Sequence, residues 1–222
     1  MRKKIFALVL IFALAVVTLS GCVINTGRGA VTGRGRMETH TIQVEGFTGL
    51  NISGGYEITF RQSPNYSVTL EIQGNLFEHV EANVRGGVLH IGSSRGFNTG
   101  VRNTPRLYVY APSLESLTVA GAVSGDIDVN TESLNIDVSG AANLTLYGSA
   151  DMLNISASGA ANVNGFEMTA TNAVINVAGA GNIDVYASNT LNVTLSGVGR
   201  VRYDGNPQVT RNVSGLGSVS SR

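Results

Sequence analysis

Asp126 and Asp128 flank Ile127 in a stretch that reads as a β-strand, so both carboxylates fall on one face. Paired carboxylates are the working groups of glycoside cleavage, and they need about 5–9.5 Å between them. Aligned on a glycine repeat developed below, Asp126 shares a column with Thr145, Asn164, Asp184 and Arg202. Asp126 and Asp184 are then three rungs apart, about 14 Å at ordinary strand spacing, too far to share one bond. No further acid or base joins Asp126 and Asp128 in register, and Asp137 and Asp151 stand alone, so solvated surface is the expectation for all of them. The histidines are His40, His79 and His90, and none is spaced with another ligand type as zinc requires. His90 alternates with Leu89 and Ile91 as an outward strand residue, and a surface position is expected for all three. The chain holds no serine-nucleophile elbow, phosphate loop or calcium nonapeptide. Catalytic, cofactor-binding and metal-ligating residues are therefore expected to be none.

One residue does have definite chemistry. The chain opens MRKKIFALVLIFALAVVTLSGCVIN, with Arg2, Lys3 and Lys4 ahead of an apolar run from Ile5 to Val17. That run falls short of the roughly 20 residues of a membrane-spanning helix and fits a secretory signal peptide at residues 1–21. Leu19-Ser20-Gly21-Cys22 resembles the bacterial lipobox, which implies cleavage before Cys22 and a diacylglycerol thioether on its sulfur. Cys22 is the only cysteine, so lipidation also accounts for a thiol that would be a leftover in a secreted chain. The expected location is extracytoplasmic, anchored to the membrane through Cys22. Without residues 1–21 the chain has 12 Arg and no Lys against 15 Asp and Glu, a net charge of −3, which disfavours a nucleic-acid partner. Residues 22–40, rich in Gly and Arg, read as a flexible tether.

The elements that must carry these groups are set by a repeat. SGAAN occurs at residues 139–143 and again at 158–162. Aligned on its glycine, the chain shows Gly121, Gly140, Gly159, Gly179, Gly197 and Gly215, at intervals of 19, 19, 20, 18 and 18. Apolar residues alternate ahead of each glycine: Leu134, Ile136 and Val138, then Leu153, Ile155 and Ala157, then Leu191, Val193 and Leu195. They alternate again after it, as at Leu144 and Leu146. Period two marks strands with one buried face. Two short strands and a corner in 18–20 residues predict one coil of a single-stranded parallel β-helix, right-handed as parallel crossovers are. The glycines are expected to supply positive φ at the corner. Three residues on, Asn143, Asn162 and Asn182 share a column with Ser124, Arg200 and Ser218, and can turn the backbone or form an amide ladder. The period-two pattern excludes a helical solenoid; an antiparallel sandwich stays open.

Residues 41–110 are less regular but still β, and 80–84 with 88–91 about Gly86-Gly87 read as a hairpin. This segment is expected to cap the first coil, and 92–104 to be a mobile loop. Phe47-Thr48-Gly49-Leu50-Asn51-Ile52-Ser53-Gly54-Gly55, Tyr66-Ser67-Val68, Gly87-Val88-Leu89-His90-Ile91 and the SGAAN corners resemble the bacterial "putative auto-transporter adhesin head GIN domain" family. The resemblance spans about residues 41–220, so 41–222 are taken as one GIN-type domain. It implies a right-handed β-helix in a secreted or lipid-anchored envelope protein, with no established biochemical role and no family site residues. The Asn column is broken by Arg200. The expected function is a non-enzymatic, adhesion-type binding module without cofactor, taking a glycan or an envelope protein as partner. A polysaccharide-active enzyme and a structural or stress-related envelope component stay open, and the edge of the last coil is either blunted by Arg211, Asn212, Ser220, Ser221 and Arg222 or an oligomer interface.

Overall fold

The computed structural model describes residues 29–100 and 103–222. The expected signal peptide at 1–21, Cys22 and the first part of the expected tether lie outside the described residues. Short strands make up the N-terminal part: β1 (Val31–Thr32), β2 (Met37–Ile42), β3 (Gly49–Ile52), β4 (Gly55–Gln62) and β5 (Ser67–Gln73). A one-turn helix α1 (Gly74–Phe77) follows, then β6 (Val80–Arg85), β7 (Val88–Ser93), β8 (Phe97–Asn98), β9 (Arg106–Ala111) and β10 (Ser116–Val119). The coils are β11 (Ala122–Val138), β12 (Ala141–Ala157), β13 (Ala160–Val177) and β14 (Ala180–Leu195), closed by β15 (Val198–Asp204), β16 (Gln208–Val213) and β17 (Leu216–Ser221).

The coils stack in parallel, one repeat on the next, as a β-solenoid of about six turns. Register follows the repeat: Ala141 pairs with Ala160 and Asn143 with Asn162, then Ala160 with Ala180 and Asn162 with Asn182. Each coil differs from the expected pair of short strands, because strand pairing runs through most of the coil and is interrupted at the glycine corner and at register shifts along β13. One side of the stack runs β5-β9-β4-β11-β12-β13-β14-β15-β17, and another runs β6-β7-β3-β10-β11-β12-β13-β14-β16. Inward residues pile into aliphatic columns. Leu134, Leu153, Ala173 and Leu191 form one and Ile136, Ile155, Ile175 and Val193 the next, all buried. A buried Leu or Ile contributes about 1.5–3 kcal/mol, so these columns hold a domain that has no disulfide. The longest interval, 20 residues, is absorbed in β13 as register shifts between Gly165 and Thr169 and between Ala170 and Asn172.

The corner glycines do not have the expected positive φ; those in the left-handed region include Gly86, Gly87, Gly125 and Gly148, but none of the six repeat glycines. Their requirement is close approach. A Cβ on Gly159 would overlap the Gly140 carbonyl oxygen and lie 2.7 Å from the Ser139 carbonyl carbon. Gly140, Gly179, Gly197 and Gly215 meet the preceding corner glycine in the same way. Coils pass this tightly because Ala141 N–H donates to Gly121 O at 2.8 Å, Ala160 N–H to Gly140 O at 2.9 Å and Ala180 N–H to Gly159 O at 2.9 Å. The serine of SGAAN adds a further bond, Ser139 Oγ–H to Val119 O at 3.2 Å.

The first coil is capped as expected, by antiparallel pairs found at this end: β6 on β7, and β2 on β5 on β9. Gly86 and Gly87, at φ +56° and +76°, make the tight turn of the β6–β7 hairpin. Two expectations are corrected here. Within the stretch 22–40 expected to be a tether lie β1 and the first four residues of β2, and the loop after β7 contributes β8, which pairs in parallel with β1. Asn75 holds this strap, accepting from Arg34 N–H at 2.8 Å and donating Nδ2–H to Thr32 O at 3.0 Å. These contacts cross about forty residues, so local composition does not announce them.

Tyr56, near the start of β4, is 2% exposed, and burial pushes its hydroxyl up to about 12. An unfolded tyrosine ionises near 10. Between pH 10 and 12 the unfolded chain therefore loses this proton first, and stability present in full below pH 10 falls as pH rises, by about 2–3 kcal/mol in all. Urea titrations at pH 9 and pH 12 should show this loss in the wild type and lose its larger part in Tyr56→Phe.

Candidate functional site

A concavity follows the corner along the stack. Its side walls are outward columns one residue apart from the floor: Ala122, Ala141, Ala160, Ala180 and Val198 on one side, and Ser124, Asn143, Asn162 and Asn182 on the other. The floor is the backbone above an inward column that shrinks from rung to rung, Tyr56, Val123, Ala142, Ala161, Gly181 and Gly199. Loss of side-chain volume along that column leaves a groove of about 770 Å³, with Thr99 and Thr104 at one end. From Gly55 to Val198 it crosses five rung spacings, roughly 24 Å. Asn162 Nδ2–H donates to Asn143 Oδ1 at 2.9 Å. Among the described residues the amide ladder is that one bond long in this column, and a second one, Asn154 to Asn135 at 2.8 Å, lies on another side of the coil.

Beyond the asparagines, the same strands present a flat polar face. The sequence column Asp126, Thr145, Asn164, Asp184 and Arg202 is observed in register. Asp126 is met by Arg61, Oδ2 to Nη2 at 3.9 Å. Asp184 takes both arms of Arg202, with Nε to Oδ1 at 2.7 Å, and this hydrogen bonding holds the guanidinium above its ordinary pKa. Arg202 also lies over the Phe166 ring at 5.4 Å, and Arg222 over the same ring at 4.8 Å. Arg106 bridges Glu71 at 3.0 Å and Glu57 at 3.3 Å. Asp126 and Asp184 thus each meet an arginine, Asp128 makes no ion pair among the described residues, and Asp126 and Asp184 remain three rungs apart.

Sequence columns located Asp184 beside Arg202 but gave no sign of Phe166, which the β13 register shift brings against the two arginines. Arg61 beside Asp126 was equally hidden, since β4 precedes the regular repeat. The histidines stay apart. His40 is less exposed than expected, stacked on Phe77 with centroids 3.8 Å apart, while His79 faces Glu78 at 3.6 Å and His90 lies outward on β7. Among the described residues no group of three His, Cys, Asp or Glu could hold a metal ion.

Residues 46–207 match the family described as "Putative auto-transporter adhesin, head GIN domain". The chain belongs to this family. No curated protein matches the GIN-domain chain. Among solved structures it is similar to a "putative adhesin" from Bacteroides fragilis, 15% identical, with TM-score 0.67, covering 87% of this chain and 100% of that one. A "putative adhesin" from Parabacteroides distasonis is 19% identical with TM-score 0.53, covering 87% and 100%. One from Parabacteroides merdae is 16% identical with TM-score 0.50, covering 87% and 99%. At these identities the likeness is one of fold, and it extends over the whole of each relative.

Proposed function

We propose that this GIN-domain chain is a non-enzymatic binding module of the cell envelope, tethered outside the cytoplasm by a lipid on Cys22, and that a linear glycan lies along its corner groove. The observation that carries the reading is repetition. Asn143, Asn162 and Asn182 recur once per rung beside an alanine strip, so a polymer with its own repeat meets the same amide and the same apolar surface at each step. Sugar rings suit that surface, having C–H faces to lie on alanine and hydroxyl edges for amides. The adhesin names of the family and of its structural relatives support the same direction. No helix of the described residues is long and apolar enough to cross a membrane.

The test is a glycan array probed with the detergent-solubilised chain, followed by titration of any retained polymer. Replacing Asn143, Asn162 and Asn182 together by Ala removes three hydrogen-bonding groups from exposed positions, so affinity should fall about tenfold or more while the fold persists. An empty array, or a triple variant binding like the wild type, would refute the groove as a glycan site.

A further inference from the structure

The last described rung, β16 and β17, is paired on one side only. β16 pairs only with β14 and β17 only with β15, so the far edge of each has no ladder partner among the described residues. Register places Val209, Arg211 and Val213 on Leu191, Val193 and Leu195, which are buried core residues. Val209 and Val213 are 36% and 39% exposed in the same inward columns, so the core itself is uncovered at this end. Arg211 is a cation in a column that is otherwise aliphatic through Ile136, Ile155, Ile175 and Val193. It lies across the open end and donates Nη1–H to Val219 O at 3.2 Å.

Charge is also concentrated here. Between Arg106 and Arg200 the chain has eight acids and no Lys or Arg, whereas from Arg200 onward it has four arginines and one acid, Asp204. Arg202 and Arg222 are engaged by Asp184, Asp204 and Phe166. Arg211 makes no ion pair among the described residues.

We propose that the free edge of β16 receives one extended strand from a partner protein, and that this strand carries an acid between two aliphatic residues, in the pattern aliphatic-x-acid-x-aliphatic. Added as a next rung, such a strand takes its main-chain bonds from β16. Its aliphatic side chains cover Val209 and Val213, and its carboxylate meets the Arg211 guanidinium. Among the described residues no strand carries that pattern. A twofold pairing of two β16 edges in register would set Arg211 opposite its own copy, which is unfavourable. The arginine thus keeps the edge from pairing with itself and selects an acidic visitor.

The probe is a labelled, end-blocked peptide, Thr-Val-Thr-Glu-Thr-Val-Thr, titrated into the full chain in detergent by fluorescence anisotropy. Wild type should bind it, should bind the Gln-for-Glu peptide about tenfold more weakly, and should show backbone amide shifts confined to β16 and its neighbours. Arg211→Glu should lose the Glu peptide and gain the corresponding Lys peptide, while Arg211→Lys keeps the first. If Arg211→Glu fails to fold, the Glu and Gln peptides against wild type still decide. Absence of binding, equal affinity for the two peptides, shifts at β6 or β2 instead, or self-association of the wild type through this edge would each overturn the proposal.

Discussion

Gly159→Ala should lower stability by about 3 kcal/mol, or Tm by on the order of 10 °C, although it adds one methyl group at a half-exposed corner. The added carbon has nowhere to go. It would overlap the Gly140 carbonyl oxygen, and the atoms behind that oxygen are the backbone of the preceding corner, not the yielding tip of a side chain. Relief requires the corner to open, which breaks Gly159 N–H to Val138 O and Ala160 N–H to Gly140 O, bonds of 3.1 and 2.9 Å. Gly159→Val should be worse. The decisive comparison is Gly159→Asn, since asparagine tolerates a left-handed backbone. Were positive φ the requirement, Asn would be milder than Ala; close approach makes it at least as damaging. Gly86→Asn supplies the opposite case, because Gly86 has φ +56° and open space where a Cβ would be, so it should cost little. Chemical denaturation of the four variants separates the two explanations, and a Gly159→Ala protein as stable as wild type would remove the close-approach account.

That contrast also shows what the sequence makes legible. The repeat glycines mark each corner because a stacked coil must pass the same narrow place once per rung, and a requirement met six times leaves a period. The reason for the glycine is not in the period, because tight passage and left-handed backbone select the same residue. The aliphatic columns were readable for a similar reason: Leu134, Leu153, Ala173 and Leu191 occupy equivalent positions, and the observed register keeps them so. The β6–β7 hairpin was readable from Gly86-Gly87, a local turn signal. Contacts without a period or a local signal were not. The strap of β1 on β8 depends on Asn75, more than forty residues from the backbone it holds. The groove escapes a sequence reading because it is made by volume missing from an inward column, from Tyr56 down to Gly199, and its polar wall looks like any soluble strand face. Phe166 between two arginines escapes it because a register shift in β13 breaks the column that would have aligned them.

Cys22→Ser should release the chain from the membrane fraction almost completely, and it bears on the proposed function more directly than any groove variant. Serine keeps the size and polarity of the position but lacks the thiol that forms the thioether, so neither the diacylglycerol nor the cleavage that follows it should occur. The expected readouts are loss of incorporated alkyne-tagged fatty acid and a heavier band that retains residues 1–21. Physical anchoring follows the lipid: each buried CH₂ contributes about 0.8 kcal/mol, so two acyl chains hold a protein where an acyl-free one dissociates. The tether then sets reach. From Cys22 to Val31 is nine residue steps, at most about 32 Å of extended chain, so an anchor on Cys22 keeps β1 within that distance of the lipid headgroups. Lengthening this span by ten Gly-Ser residues should leave lipidation and glycan binding intact while moving the domain outward, measurable as greater access of an externally added protease to its N-terminal strap. A Cys22→Ser chain that still takes up fatty acid and sediments with membranes would place the anchor elsewhere and remove the lipid tether from the proposal.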